Sequence, residues 1–449
     1  MTIRAILLAK LVTLIAFLAG AGAPPPPRVL AVLKELDRIA ARPLWPGFDP
    51  RRIPVAIFDD GRTWLARHPS PPAEFRPWPG EKGVDAFEGR HASLRANTAI
   101  GLNGVETATA SFEGHAEGTR RLAGLLVHET FHVFQARRHP KWGGNEVEQL
   151  IYPSDDGEVL AERRLESLAL SRALAARSRA AAGAWAARAL AAREKRFARL
   201  PEPAAAYERG TEMKEGLATY VEMKAVEQNA IPWPVLPEAE FPPEAVRLRA
   251  YASGNAIGRL LDRLDPAWKP ALEANDDTSL DALLRRAVAG MRPAEFSAAE
   301  ESGARARAAA DVKAMAARRA ALRREFLETP GWTLVLETAD PVFPQGFDPW
   351  NLERVSPSEV LHLRWLKLGN AAGSVEILDR KCLTEGSGKH PLFEGVRRAT
   401  VTGLAAEPRV EEIPGRVKIS AGGLNLEFRG SRVTRSGQTL TVTVSKVES

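Results

Sequence analysis

His128 and His132 stand four residues apart in the run His128-Glu129-Thr130-Phe131-His132. On a helix, residues at that spacing stack on one face, so both imidazoles point the same way and can grip one divalent metal. Zinc is the usual occupant of such a pair. Glu129 lies one position round the helix, within reach of a water that the metal would polarise, and can take its proton. The chemistry implied is metal-assisted hydrolysis. A buried apolar helix has little structural use for two histidines and a glutamate, because each polar group must find a partner there.

A catalytic zinc also needs a third protein ligand and an open position for water. The best candidate is Glu215, in Lys214-Glu215-Gly216-Leu217-Ala218-Thr219-Tyr220. A rival set lies at Glu158, Glu162 and Glu166, which fall at i, i+4 and i+8 on one helix face. The plain account of that stripe is solvent-exposed pairing with Arg163 and Arg164. If Glu215 is distant from the histidines, Glu162 or Glu166 takes its place.

With its pattern His-Glu-x-x-His followed by Glu-Gly, the chain resembles the gluzincin metallopeptidases, the aminopeptidase N type particularly. The resemblance implies that Glu215 completes the zinc site. Tyr251-Ala252-Ser253-Gly254, followed by Leu260-Leu261-Asp262, is similar to the Tyr-x-x-Gly helix that comes next in that family. There the tyrosine hydroxyl stabilises the oxyanion, which assigns that role to Tyr251, with Tyr220 as the fallback. The ordinary account of Tyr251 is a buried tyrosine with a bonded hydroxyl. Two features depart from the family. His132 and Glu215 are 83 positions apart, far more than is usual, and a helical insertion at about 145–203 accounts for the excess. The upstream loop that holds a substrate amine in aminopeptidases is matched only by Gly104-Val105-Glu106, without its methionine or asparagine. The resemblance covers roughly residues 98–264.

These residues need elements to hold them. Leu122, Leu125, Leu126, Val127, Phe131, Val133 and Phe134 surround the 119–139 segment, which predicts a helix buried on most sides. Residues 29–39 have amphipathic spacing. Residues 53–58 read as a strand, with Pro54 implying an edge or a strand start. Residues 98–105 and 107–112 read as two more, turned at Asn103-Gly104. Residues 158–200 predict one or two long helices, kinked near Gly183 if paired. Further helices are expected over 204–229, 243–264, 279–289 and 293–327. The last of these carries charges that suit a solvated face. From residue 330 the pattern changes to strands at 332–337, 360–368, 374–378 and 398–404, then an alternating tail with turns at Gly422-Gly423 and Ser436-Gly437.

The expected fold is therefore α+β: a mostly helical zincin-like domain over 24–329 with a small N-terminal sheet, then an all-β sandwich or barrel over 330–449. Among the 449 residues, 45% are apolar and 26% charged, an ordinary globular balance. The net charge is +6. Arg4 and Lys10 supply part of it, and the remainder is too small and dispersed to argue for nucleic acid. Cys382 is the lone cysteine, so no internal disulfide can form, and it reads as a filler in a strand. Arg4, Lys10, the apolar run Leu11 to Ala19 and the small residues through Ala23 predict a signal peptide over 1–23, with cleavage after Ala21 fitting best. The mature chain is then exported, periplasmic or secreted, with no stable membrane anchor.

The expectation that follows is an exported zinc metallopeptidase with one catalytic Zn²⁺, a peptide or protein substrate, and Glu129 as general base. The competing class is a non-catalytic envelope or binding protein with a vestigial zinc site and a recognition β domain. Glu129 beside both histidines argues against it, since a structural site needs no base. A non-peptidase hydrolase using the same zinc is the third option.

Overall fold

The computed structural model describes residues 28–113, 118–226, 236, 241–349 and 351–446. The targeting segment expected at 1–23 lies outside them, as do the end of the helix expected to reach residue 229 and most of the proline-punctuated loop after it. No described helix is long and apolar enough to cross a membrane.

The fold is α+β. Helix α1 (Arg28–Ala40) buries Val29, Val32, Leu33, Leu36 and Ile39 along one face. A six-stranded sheet follows: β1 (Val55–Phe58), β2 (Arg62–Ala66), β3 (Arg76–Pro77), β4 (Val84–Glu88), β5 (Thr98–Leu102) and β6 (Val105–Ser111), in the order β3-β4-β2-β1-β6-β5. Strand β1 runs parallel to β6 and antiparallel to β2. It is therefore an interior strand, not an edge, and Pro54 is tolerated because it lies just ahead of the first paired residue. The turn between β5 and β6 places Asn103 at φ 44° and Gly104 at φ 76°, the left-handed geometry that Asn-Gly favours in a two-residue hairpin.

Helix α2 (Thr119–Arg138) carries the two histidines and is buried on most of its circumference. Helices α3 (Gly157–Ala175) and α4 (Arg179–Phe197) form a hairpin. Its break falls at residues 176–178, not near Gly183, because the Ser178 side chain caps α4 by accepting from the Ala181 amide. Gly183 instead lies within α4 where Met291 packs. Helix α5 (Glu202–Thr211) continues through a π turn (Glu212–Gly216) into α6 (Leu217–Val226). Helices α7 (Val246–Leu264), α8 (Leu280–Ala287) and α9 (Ala298–Leu327) follow, and two shorter helices lie at Glu148–Ile151 and Trp268–Glu273. A capping box formed by Ser297 and Glu300 starts α9.

The glutamate stripe on α3 is not solvated. Glu158 is exposed, but Glu162 and Glu166 are buried, because α3 packs against α4, α7 and α9 at once. Glu166 accepts from Arg193 and Arg196 at 2.7 Å each and lies 3.4 Å from Arg249. Arg193 also pairs with Glu212 at 2.5 Å, and Arg196 pairs with Glu208. Burial alone would raise the Glu166 carboxyl, but the three guanidiniums hold it well below the usual carboxylate range. This buried network ties the hairpin to the π turn.

From Trp332 onward the chain forms a separate β system. Its strands are β7 (Trp332–Phe347), β8 (Leu352–Arg354), β9 (Glu359–His362), β10 (Trp365–Asn370), β11 (Gly373–Leu378), β12 (Cys382–Gly386), β13 (Val396–Leu404), β14 (Arg409–Ile413), β15 (Arg416–Ala421), β16 (Leu424–Arg429), β17 (Ser431–Ser436) and β18 (Thr439–Val444). Their order is β14-β15-β16-β11-β10-β7-β13-β12-β9-β8, with the β17–β18 hairpin also laid on β7. Pairing is antiparallel except for β18 on β7. The long β7 passes from one half to the other: residues 332–342 pair with β13 and residues 343–347 with β10. Both halves bury Leu334, Leu366, Ile377, Val401, Phe428 and Val442 in one shared core. Cys382 is buried in β12.

Candidate metal centre

The two histidines are set by α2, and the third group arrives from the π turn between α5 and α6. His128 Nε2 and His132 Nε2 are 3.0 Å apart. Glu215 Oε2 lies 3.0 Å from His132 Nε2 and 3.7 Å from His128 Nε2. Among the described residues, His128, His132 and Glu215 are the group whose ligand atoms converge as a metal site requires. Glu162 and Glu166 do not belong to it, since Glu166 is committed to arginines.

The outer nitrogens of both rings are fixed. His128 Nδ1 donates to Glu222 Oε2 at 3.0 Å. His132 Nδ1 donates to Gln135 Oε1 at 2.9 Å. The Gln135 amide orientation follows from its nitrogen, which donates to the carbonyls of Met213 and Lys214 at 3.0 Å each. With both Nδ1 atoms donating outward, both Nε2 atoms present lone pairs inward, and Glu215 adds a third acceptor. Three acceptors facing one another are satisfied by a cation. Ligands placed tetrahedrally at zinc distances stand about 3.4 Å from each other, close to the separations found here. The donor set therefore fits zinc.

Close backbone approach explains the motif glycines. A Cβ on Gly216 would lie 2.7 Å from the Cα of Gly254, and one on Gly254 would meet Gly216 Cα at the same distance. The Glu-Gly and Tyr-x-x-Gly motifs are thus the crossing point of the π turn and α7, and that crossing brings Tyr251 to the site. The Tyr251 ring lies nearly parallel to His128, with centroids 6.2 Å apart. Arg247, one turn earlier on α7, donates to Glu215 Oε1 at 2.8 Å, pairs with Glu146 at 2.5 Å and reaches the Tyr251 hydroxyl at 3.3 Å. It leaves Glu215 Oε2 facing the imidazoles.

Charge at the site is unevenly shared. Burial would depress the His128 imidazole, but Glu215 and Glu222 outweigh it and push the pKa up to about 10, so a proton answers these acceptors until a bound metal displaces it. Burial would raise Glu215, yet both histidines and Arg247 hold it far below the usual carboxylate range. The Glu129 carboxyl is pushed up by burial, partly offset by the two histidines. Among the described residues no hydrogen bond or ion pair engages it. Burial also raises the Tyr251 phenol, so it stays protonated as a donor.

The fallback Tyr220 and two other residues quoted with the motifs, Asp262 and Glu106, have surroundings of their own. Tyr220 is fully buried and donates to Asp262 at 2.7 Å inside a cluster with Trp45 and Trp268, so it braces the core rather than serving the site. Asp262 likewise accepts from Trp268 and Lys224. Glu106 is exposed beside the β5–β6 turn. Conversely, Glu222, Gln135 and Arg247 were not anticipated. Gln135 is three residues after His132, a spacing that places it beside that ligand, whereas Glu222, seven residues after Glu215, reaches His128 across the helix packing.

Compared with known proteins, the chain matches no family model, no curated protein and no solved structure.

Proposed function

We propose that the mature chain is an exported zinc metallopeptidase of gluzincin type. The observation that carries this reading is the convergence of three acceptors from His128, His132 and Glu215, with the unengaged carboxylate of Glu129 on the same helix as the histidines. Zinc held there supplies Lewis acidity toward a water and a carbonyl oxygen. Glu129 takes the proton from the attacking water and passes it to the leaving amine. The Tyr251 hydroxyl donates toward the oxygen on which charge develops. Glu222 and Gln135 keep both imidazoles in the tautomer that binds metal, and Arg247 holds Glu215 in place.

The test is hydrolysis of a peptide mixture by the zinc-loaded chain, followed by mass spectrometry. Cleavage should stop with a chelator and return with added zinc. In the same assay Tyr251→Phe should keep zinc and lower turnover by roughly ten- to a hundredfold. No cleavage product from the zinc-loaded chain, or cleavage indifferent to chelation, contradicts the reading.

A further inference from the structure

Beside the metal centre, where the helical part meets the β system, lies a cavity of about 350 Å³, within the range of small-ligand sites. Arg247 belongs to both places: it lines the cavity and it grips Glu215. The far wall is apolar and aromatic. Phe347 and Phe393 meet edge to face with centroids 5.7 Å apart, and Leu150 and Leu392 adjoin them. Among the described residues, Phe393 is one of the few large apolar side chains left exposed, at 37%.

The three glutamates and three arginines of the lining are unevenly paired. Each lining glutamate has an arginine: Glu146 has Arg247 at 2.5 Å, Glu244 has Arg318 at 2.7 Å, and Glu353 has Arg318 at 3.0 Å. Arg354 has no such partner. Among the described residues it makes no ion pair within 4 Å, its Nε is buried without a hydrogen bond, and its one side-chain hydrogen bond is a 3.5 Å approach to the Pro357 carbonyl. Arg319, also on the lining, has its Nε buried without a partner and reaches Glu244 only at 3.8 Å. Burial lowers the pKa of Arg354; Asp155 opposes this and Arg319 adds to it. A half-buried guanidinium of this kind is stabilised by an incoming anion, and its planar fork suits a carboxylate.

We infer that this cavity is a substrate subsite for the carboxyl-terminal residue of a peptide, with a bulky apolar side chain against Phe347 and Phe393 and the free carboxylate on Arg354. The inference rests on the metallopeptidase reading and sharpens it to a carboxyl-end-directed enzyme. An apolar body and a single anionic tip match the wall and the cation together. An internal peptide segment brings no main-chain carboxylate to Arg354.

The experiment is calorimetric titration of the full mature chain, with chelator present so that no carboxylate can bind a metal. The probes are acetyl-Ala-Phe as the free acid and as its carboxyl-terminal amide. The acid should bind at least tenfold tighter than the amide. Arg354→Gln should erase that preference, and Arg354→Lys should keep part of it. Equal affinities in the unmodified chain, no measurable binding of either probe, or a preference that survives Arg354→Gln overturns the inference. Binding that follows the predicted pattern without any peptide cleavage by the zinc-loaded chain supports the subsite and counts against the peptidase reading alone.

Discussion

Replacing Glu129 with glutamine is expected to leave zinc bound and to lower peptide turnover by roughly two to four orders of magnitude. Glutamine keeps the size and polarity of the side chain but cannot accept a proton. Glu129 is buried on α2 and packs no ion pair among the described residues, so its loss should cost little in stability. Burial raises its carboxyl above the ordinary carboxylate value, partly offset by the two histidines. Steady-state kinetics with metal analysis on the same preparation separates the two effects. Undiminished turnover would mean that the base is another residue.

Glu215→Ala should weaken zinc affinity by roughly a hundredfold or more, since even residues that merely orient ligands are worth ten- to a hundredfold. His132→Ala should do the same, while the β system, with its own core, stays folded. Glu166→Ala should behave in the opposite way. It leaves Arg193 and Arg196 buried without their shared carboxylate, a change that costs about 3–5 kcal/mol of stability, yet it removes no metal ligand. Competitive zinc titration and urea unfolding on the three variants read these outcomes. Zinc affinity that depends on Glu166 and ignores Glu215 would overturn the ligand assignment.

The site was legible where the chemistry is local. Two histidines at helical spacing need only α2 to form, and the apolar residues around them ensure that. Glu215 was reached through its motif across 83 positions, and the reason the motif works is the Gly216–Gly254 contact, which no local pattern announces. What escaped is tertiary. Glu166 looked solvated because Arg163 and Arg164 are its neighbours in sequence, but those arginines turn to the Phe241 and Pro243 carbonyls and to Asp311. Its true partners come from α4 and α7. Strand β7 looked six residues long because Pro341 and Pro344 interrupt the pattern. It continues through them because it changes partners there, beside a register shift between Lys367 and Leu368, where prolines are tolerated. The π turn at Glu212–Gly216, closed by the Leu217 amide on the Glu212 carbonyl, had no visible sign. Such turns often occur at functional positions, and this one carries Glu215.

The central claim is that His128, His132 and Glu215 together hold one zinc. X-ray absorption at the zinc edge of the stoichiometrically loaded chain tests it most directly. The account predicts a four-coordinate ion with two imidazole nitrogens at about 2.0–2.1 Å and oxygen ligands at about 2.0–2.2 Å. In Glu215→Ala one oxygen should be exchanged for solvent while both imidazole signatures persist. A zinc spectrum with fewer than two imidazoles, or one identical in the His132→Ala chain, would contradict it.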